Sequence, residues 1–151
     1  MRGASPELLN RKALHDYEIL ERYVAGILLE GAEVKSLREG GGQLQDAFCL
    51  FKDGELYVLN LYIAPYRQAG YQKVGERRPR KLLLQREELR RLQGKLSQKG
   101  LTLVPLRLFF SERGWAKLEI ALVRGRKQYD KRLAIRAREE RREMERLHKQ
   151  Y

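Results

Sequence analysis

The sequence holds a single cysteine, Cys49, so no internal disulfide can form and no thiolate cluster can bind zinc. It sits in the apolar stretch Phe48-Cys49-Leu50-Phe51 and reads as a small core residue. There are two histidines, His15 and His148, and no His-Glu-x-x-His, Cys-x-x-Cys or Gly-x-Ser-x-Gly pattern. The familiar routes to zinc hydrolysis and serine nucleophiles are therefore missing. No apolar run approaches the roughly 20 residues of a spanning helix, and the N-terminus lacks a signal peptide's apolar segment. A soluble, cytoplasmic protein without membrane association, metal or cofactor is expected. Acidic charge is also short: 20 Asp and Glu face 32 Lys and Arg, for a net charge of +12. That excess fits a partner covered in phosphates, nucleic acid before an anionic membrane surface.

What is present suits one domain plus tails in 151 residues. Residues 1–9 carry Gly3, Ser5 and Pro6 without periodicity and read as a flexible arm, with structure beginning near Asn10. Tyr17 to Glu30 is β-prone and reads as one long strand, bulged or bent at Gly26. Val34 and Leu37 suit a short helix near 33–39 that Gly40 stops. Ala47 to Phe51 and Leu56 to Ile63 flank Asp53-Gly54, the signature of a hairpin. Ala64 to Arg80 reads as a long surface loop. Leu82, Leu89, Leu92 and Leu96 mark an amphipathic helix near 85–98, ended by Gly100. Two strands follow, Leu101 to Phe110 and Trp115 to Val123. In the second, Ala116, Leu118, Ile120 and Leu122 face a core while Trp115, Lys117 and Glu119 face water. Pro105 places the first at an edge or bulge.

The pattern predicts a mainly β fold with attached helices over 10–123, an OB-like antiparallel β-barrel. An α+β sandwich is the alternative architecture. Residues 124–151 form a basic tail whose Leu133, Ala137, Met144, Leu147 and Tyr151 keep a four-three spacing with Glu140 in the gap. So thin a seam predicts a segment disordered when free that becomes helical on a partner; a solvated helix on the barrel is the alternative.

Candidate chemistry is sparse. Gly40-Gly41-Gly42 lacks the Lys-Ser/Thr of a phosphate loop and follows a helix, so it reads as a flexible connector. Glu33 and Asp46 could form an acid/base or metal pair, but in so basic a chain they read as ion-pair partners. Binding features are richer. Asn10-Arg11-Lys12-Ala13-Leu14-His15-Asp16-Tyr17 combines cations with an imidazole and a phenol that could stack on a base, or Tyr17 could belong to the core. Arg77-Arg78-Pro79-Arg80-Lys81 follows Tyr62, Tyr66, Arg67 and Tyr71, interleaving cations with stacking surfaces.

Taken in order, several stretches resemble one family. They are Asn10-Arg11-Lys12-Ala13 with His15-Asp16-Tyr17, Ala25-Gly26, Gly31-x-Glu33-Val34-Lys35-Ser36-Leu37-Arg38 and Arg80-Lys81-Leu82-Leu83-Leu84. Lys99-Gly100, Val104-Pro105-Leu106 and Arg124-Gly125-x-Lys127-x-Tyr129-Asp130-Lys131-Arg132 continue the match. Together they resemble the SsrA-binding proteins, also called small protein B, of bacterial trans-translation. The resemblance implies an OB-like barrel, without catalytic activity and as a monomer, that binds the tRNA-like domain of transfer-messenger RNA. It implies delivery to the small-subunit decoding centre and messenger channel of stalled ribosomes, with elongation factor Tu present only through the alanylated RNA.

By matched position, Asn10, Arg11, Lys12, His15, Glu33, Lys35, Ser36, Arg38, Arg80, Lys81, Leu83, Arg124 and Lys127 should line or support an RNA face. Tyr129, Asp130, Lys131, Arg132, Arg136 and Arg138 should belong to the tail that enters the decoding centre and channel. Two positions depart from the family pattern. Val24 stands where relatives commonly carry Glu before Ala-Gly, and Tyr129 stands where some carry His. A phenol with a free pKa of about 10 suits stacking better than proton transfer. The remaining alternatives are an RNA-modifying or RNA-cleaving enzyme that uses His15 with a carboxylate, and a constitutive ribosomal RNA-binding protein.

Overall fold

The computed structural model describes residues 7–66, 75–125 and 138–146. Its elements are β1 (Leu8–Leu9), α1 (Arg11–Asp16), β2 (Tyr17–Ile27), α2 (Gly31–Arg38), β3 (Gly42–Gln43), β4 (Phe48–Lys52) and β5 (Glu55–Leu59). They continue with β6 (Tyr62–Ile63), β7 (Arg80–Leu83), α3 (Arg86–Leu96), β8 (Leu101–Phe110) and β9 (Ala116–Gly125). Residues 138–146 are also helical.

Asp53 and Gly54 both take positive φ, 52° and 79°, which is the primed turn that matches strand twist. The hairpin runs from Phe48 opposite Leu59 to Lys52 opposite Glu55. It ends sooner than its apolar run, because Asn60 turns left-handed at φ 60° and β6 leaves to pair with β3. The main sheet follows the order β1-β8-β4-β5-β7-β2-β9, and β8 also pairs with β9. That last ladder joins β9 back to β8, leaving only β1 outside the ring, so the strands from β8 round to β9 close into an antiparallel barrel, compatible with the OB-like expectation.

The interior is filled by Leu56, Val58, Leu103, Leu118 and Ile120, each fully buried. Leu92 of α3 is fully buried too, and Leu89 and Leu96 pack beside it, so the leucine stripe covers the barrel as expected. In β8 the register slips between Pro105 and Arg107, the irregularity that a proline without a donor demands.

Several expectations are corrected. The arm ends earlier, since Leu8 and Leu9 pair with Leu108 and Arg107. The irregularity in β2 lies between Ile19 and Glu21, whereas Gly26 sits in regular register with both Lys117 and Leu83. The outer face of β9 is wet only in part. Ala121 and Val123 are buried against Val104, Leu106 and Ala13, because α1 covers that end. Arg80 belongs to a strand, not to the surface loop. In the tail, residues 138–146 are helical, and glutamate and arginine, good helix formers, dominate there.

The glycine triplet is not a flexible connector. Gly40 takes φ 81°, and the amides of Gly40 and Gly41 donate to Leu37 and Ser36 carbonyls at 3.0 and 2.9 Å. This is the paired closure that caps a helix C-terminus. A Cβ on Gly41 would lie 2.4 Å from Ser36 Oγ, and one on Gly42 2.7 Å from Leu37 Cδ2.

Candidate nucleic-acid interface

Asn10 organises the first cluster from inside. Its Oδ1 accepts from the Ala13 amide at 3.1 Å, and its Nδ2 donates to the Pro105 carbonyl at 2.9 Å. Its own amide donates to the Leu106 carbonyl at 2.8 Å. Asn10 therefore caps α1 and ties it to the bulge in β8. It is buried, only 5% exposed. Around it Arg11, Lys12 and His15 point outward and are exposed. Lys12 Nζ lies 3.5 Å from Asp46 Oδ1, and His15 Nδ1 lies 3.0 Å from Asp16 Oδ1. Tyr17 packs beside the small core cluster under α1.

The second cluster is built on Glu33, which is only 4% exposed. Its Oε1 accepts from Arg78 Nη2 at 2.5 Å and from the Glu30 amide at 2.9 Å, the latter closing a capping box. Its Oε2 accepts from Arg80 Nε at 2.6 Å. Arg80, 1% exposed, also donates from Nη1 to the Leu61 carbonyl at 2.6 Å and from Nη2 to the Glu76 carbonyl at 3.2 Å. Burial by itself would raise the Glu33 carboxyl, but hydrogen bonds from Arg78, the Glu30 amide and Arg80 outweigh it and hold the group below its ordinary value. Burial draws the Arg80 guanidinium down while Glu33 holds it up.

Buried Glu33 and Arg80, with Ser36, therefore lie beneath this surface. The pair fixes α2 to β7, and Lys35 and Arg38 are left on the outer side, both exposed. Arg38 stacks on the Phe110 ring at 4.5 Å and reaches the Gly114 carbonyl at 3.4 Å. Lys35 lies 5.8 Å from the Tyr66 ring and Arg77 4.9 Å from that of Tyr62. The interleaved cations and tyrosines thus meet as cation–π pairs.

The third cluster lies on the outside of β2, β7 and β9. Leu83 is 46% exposed and sits opposite Gly26, with Val24 of β2 and Leu28, just beyond its end, also exposed. Trp115, at 68%, is the most exposed large apolar side chain there. Lys81, beside Leu83, pairs with Glu55 at 2.8 Å, and this hydrogen bond raises its pKa. Sequence reasoning placed Trp115 on the wet face of its strand, as found, but named neither it nor Leu28 as a candidate binding group. Their signal was an aromatic and a leucine on the polar side of an alternating pattern. Arg124 is exposed near the end of β9, and Arg138 opens the helix at 138–146. Lys127, Tyr129, Asp130, Lys131, Arg132 and Arg136 lie outside the described residues, as do Arg67 and Tyr71.

Such an arrangement suits binding. Glu33 is held ionised between two guanidiniums, which unfits it for proton donation near neutral pH. Among the described residues no group of three or more His, Cys, Asp or Glu could hold a metal ion. No helix among them is long and apolar enough to cross a membrane. The outer side chains are instead cations and stacking surfaces on a rigid barrel.

The family described as SmpB protein matches residues 8–150. The SsrA-binding protein of Thermus thermophilus is 57% identical over 143 residues, covering 95% of this chain and 99% of that protein. The SsrA-binding protein of Parabacteroides distasonis is 48% identical over 143 residues, covering 95% and 94%. A solved chain described as "tmRNA-SmpB: a journey to the center of the bacterial ribosome" superposes with a TM-score of 0.69 at 57% identity. It covers 87% of this chain and 95% of that one.

Proposed function

The chain belongs to the SmpB protein family, and from that premise we propose that it is an RNA-binding adaptor of trans-translation. It binds transfer-messenger RNA and brings it to stalled ribosomes. The observation that carries this reading is the likeness, over nearly the whole chain, to a protein seen with that RNA at the ribosome. The geometry supports it. Buried Asn10, Glu33, Ser36 and Arg80 fix elements whose outer residues, Arg11, Lys12, His15, Lys35, Arg38, Lys81 and Leu83, offer cations and stacking surfaces. Folded transfer-type RNA is recognised in this way, by phosphate and 2′-OH contacts and by stacking on unpaired bases.

The tRNA-like domain is the part bound, and the alanylated RNA brings elongation factor Tu with it. Residues from Lys127 onward, with Tyr129 stacking in the decoding centre, enter the ribosome, which places the protein's work in the cytoplasm. No catalytic step is assigned to it.

The test is binding to the isolated tRNA-like RNA over a salt series, followed by a rescue assay. Affinity should fall with a slope of about −0.7 to −0.9 per phosphate contacted. A chain ending at Gly125, which keeps all of β9, should retain that binding and fail in rescue. Flat affinity across the series would refute the electrostatic reading. Turnover of RNA abolished by His15→Ala at unchanged affinity would favour an enzyme instead.

A further inference from the structure

Four aromatic rings each carry a cation over their face: Lys35 over Tyr66, Arg38 over Phe110, Arg77 over Tyr62 and Arg107 over Phe109. Trp115 carries none among the described residues, and its indole N–H meets no hydrogen-bond partner there. Its ring is therefore open. The backbone beneath the ring is fixed. The Ser111 amide donates to the Trp115 carbonyl at 2.8 Å, the Trp115 amide donates to Ser111 Oγ at 3.1 Å, and the Gly114 amide closes the turn on the Ser111 carbonyl at 2.8 Å. Arg38, stacked on Phe110, donates to the Gly114 carbonyl and so ties this turn to α2. Gly114 takes φ 85°, and a Cβ there would lie 3.3 Å from Arg38 Nη2, so glycine is what lets the turn sit this close.

The ladder sets the neighbours. Val24 lies opposite Glu119 and Gly26 opposite Lys117, so one further step along the same face brings Leu28 level with Trp115. Val24, Leu28 and Leu83, each about half-exposed, thus extend an apolar surface away from the indole. On the other side the turn exposes Glu112 and Arg113, one charge of each sign, and exposed Arg38 makes the border net positive. A rigid open ring between an apolar surface and a cationic border fits a nucleobase, which offers a flat face to the ring and a phosphate to the border. We propose that Trp115 is a base-stacking contact that takes an unpaired base of the bound RNA on its open face. The inference rests on the RNA-binding reading and deepens it, because this contact does not depend on charge. Salt slope counts phosphates neutralised, so losing a neutral ring weakens binding without changing the slope.

Intrinsic fluorescence reads the contact directly, since Trp115 is the only tryptophan. The full chain is titrated with the isolated tRNA-like RNA at several salt concentrations, and anisotropy of the end-labelled RNA reports binding independently. Indole emission should be quenched in step with anisotropy. Trp115→Ala should raise Kd about tenfold at an unchanged salt slope, and Trp115→Phe should recover most of that loss. Melting of both variants should stay within about 1 °C of wild type, because the side chain is exposed. The same RNA with abasic sites through its unpaired loops should bind wild type and Trp115→Ala alike. Emission that stays constant while RNA saturates the protein, or Trp115→Ala binding within about twofold of wild type, overturns the stack and leaves the functional reading standing. No rise in anisotropy with wild type overturns the functional reading and the stack with it. Emission that changes with protein concentration alone, with a doubled mass in sedimentation, assigns the ring to a second copy of the chain and also overturns the proposal.

Discussion

Replacing Arg80 with methionine separates a structural role from an RNA contact. Methionine nearly matches the buried length of arginine, so the cavity left is small and the loss is one of charge and hydrogen bonds. Removing one partner of a buried ion pair costs about 3–5 kcal/mol. Glu33 keeps Arg78 and the Glu30 amide, which places the cost near the lower end, about 3 kcal/mol. At roughly 2–4 °C per kcal/mol for a domain of this size, the melting temperature should fall by about 10 °C. Glu33→Gln leaves two guanidiniums facing each other without an anion and should cost a similar amount. The double variant should lose clearly less than the sum, by more than about 1 kcal/mol, because the two groups act as one unit. Urea titration of the four proteins measures this cycle. At 10 °C, where Arg80→Met stays folded, its affinity for the tRNA-like RNA should lie within about threefold of wild type. An unchanged melting point with affinity lost tenfold or more would refute the reasoning and make Arg80 a direct contact.

Acid should act through the same carboxylate. Its folded value lies below the ordinary 4.5, so its stabilisation is complete above that pH and is lost as pH falls through the lower folded value. Urea midpoints should hold from pH 7 to 5 and then drop, and Glu33→Gln should flatten that drop. Gly41→Ala should destabilise by about 1–3 kcal/mol, read by thermal melting, since its Cβ would meet Ser36 Oγ at 2.4 Å. Asn10→Ala should cost about 2 kcal/mol, because a helix cap and a buried bond to Pro105 are lost together. Arg11→Ala and Lys12→Ala should leave melting within about 1 °C, while each lowers the salt slope of RNA binding by roughly 0.7 to 0.9 where the cation meets a phosphate.

Local chemistry was legible in the sequence and long-range chemistry was not. The β4–β5 hairpin could be read because Asp53-Gly54 dictates its own turn, and α3 because its leucines repeat at helical spacing. Helix α1 escaped notice: six residues bury only Ala13, too little to leave a periodic trace. Closure of the barrel depends on β8 pairing both β4 and β9, and no residue pattern announces a third partner. The hardest feature to foresee was the burial of Arg80, which stands in a run of cations that looks solvated. Its only sequence trace is period two: Arg80 and Leu82 face inward while Lys81 and Leu83 face out. Read as a strand, the same four residues sort themselves, and the charge that seemed to belong to RNA is spent on Glu33, 47 positions away. We therefore expect Arg80, shared with an RNA-binding family, to serve binding without touching RNA. On that reading buried Asn10, Glu33, Ser36 and Arg80 set the geometry, and the exposed cations beside them are the ones we propose meet phosphate.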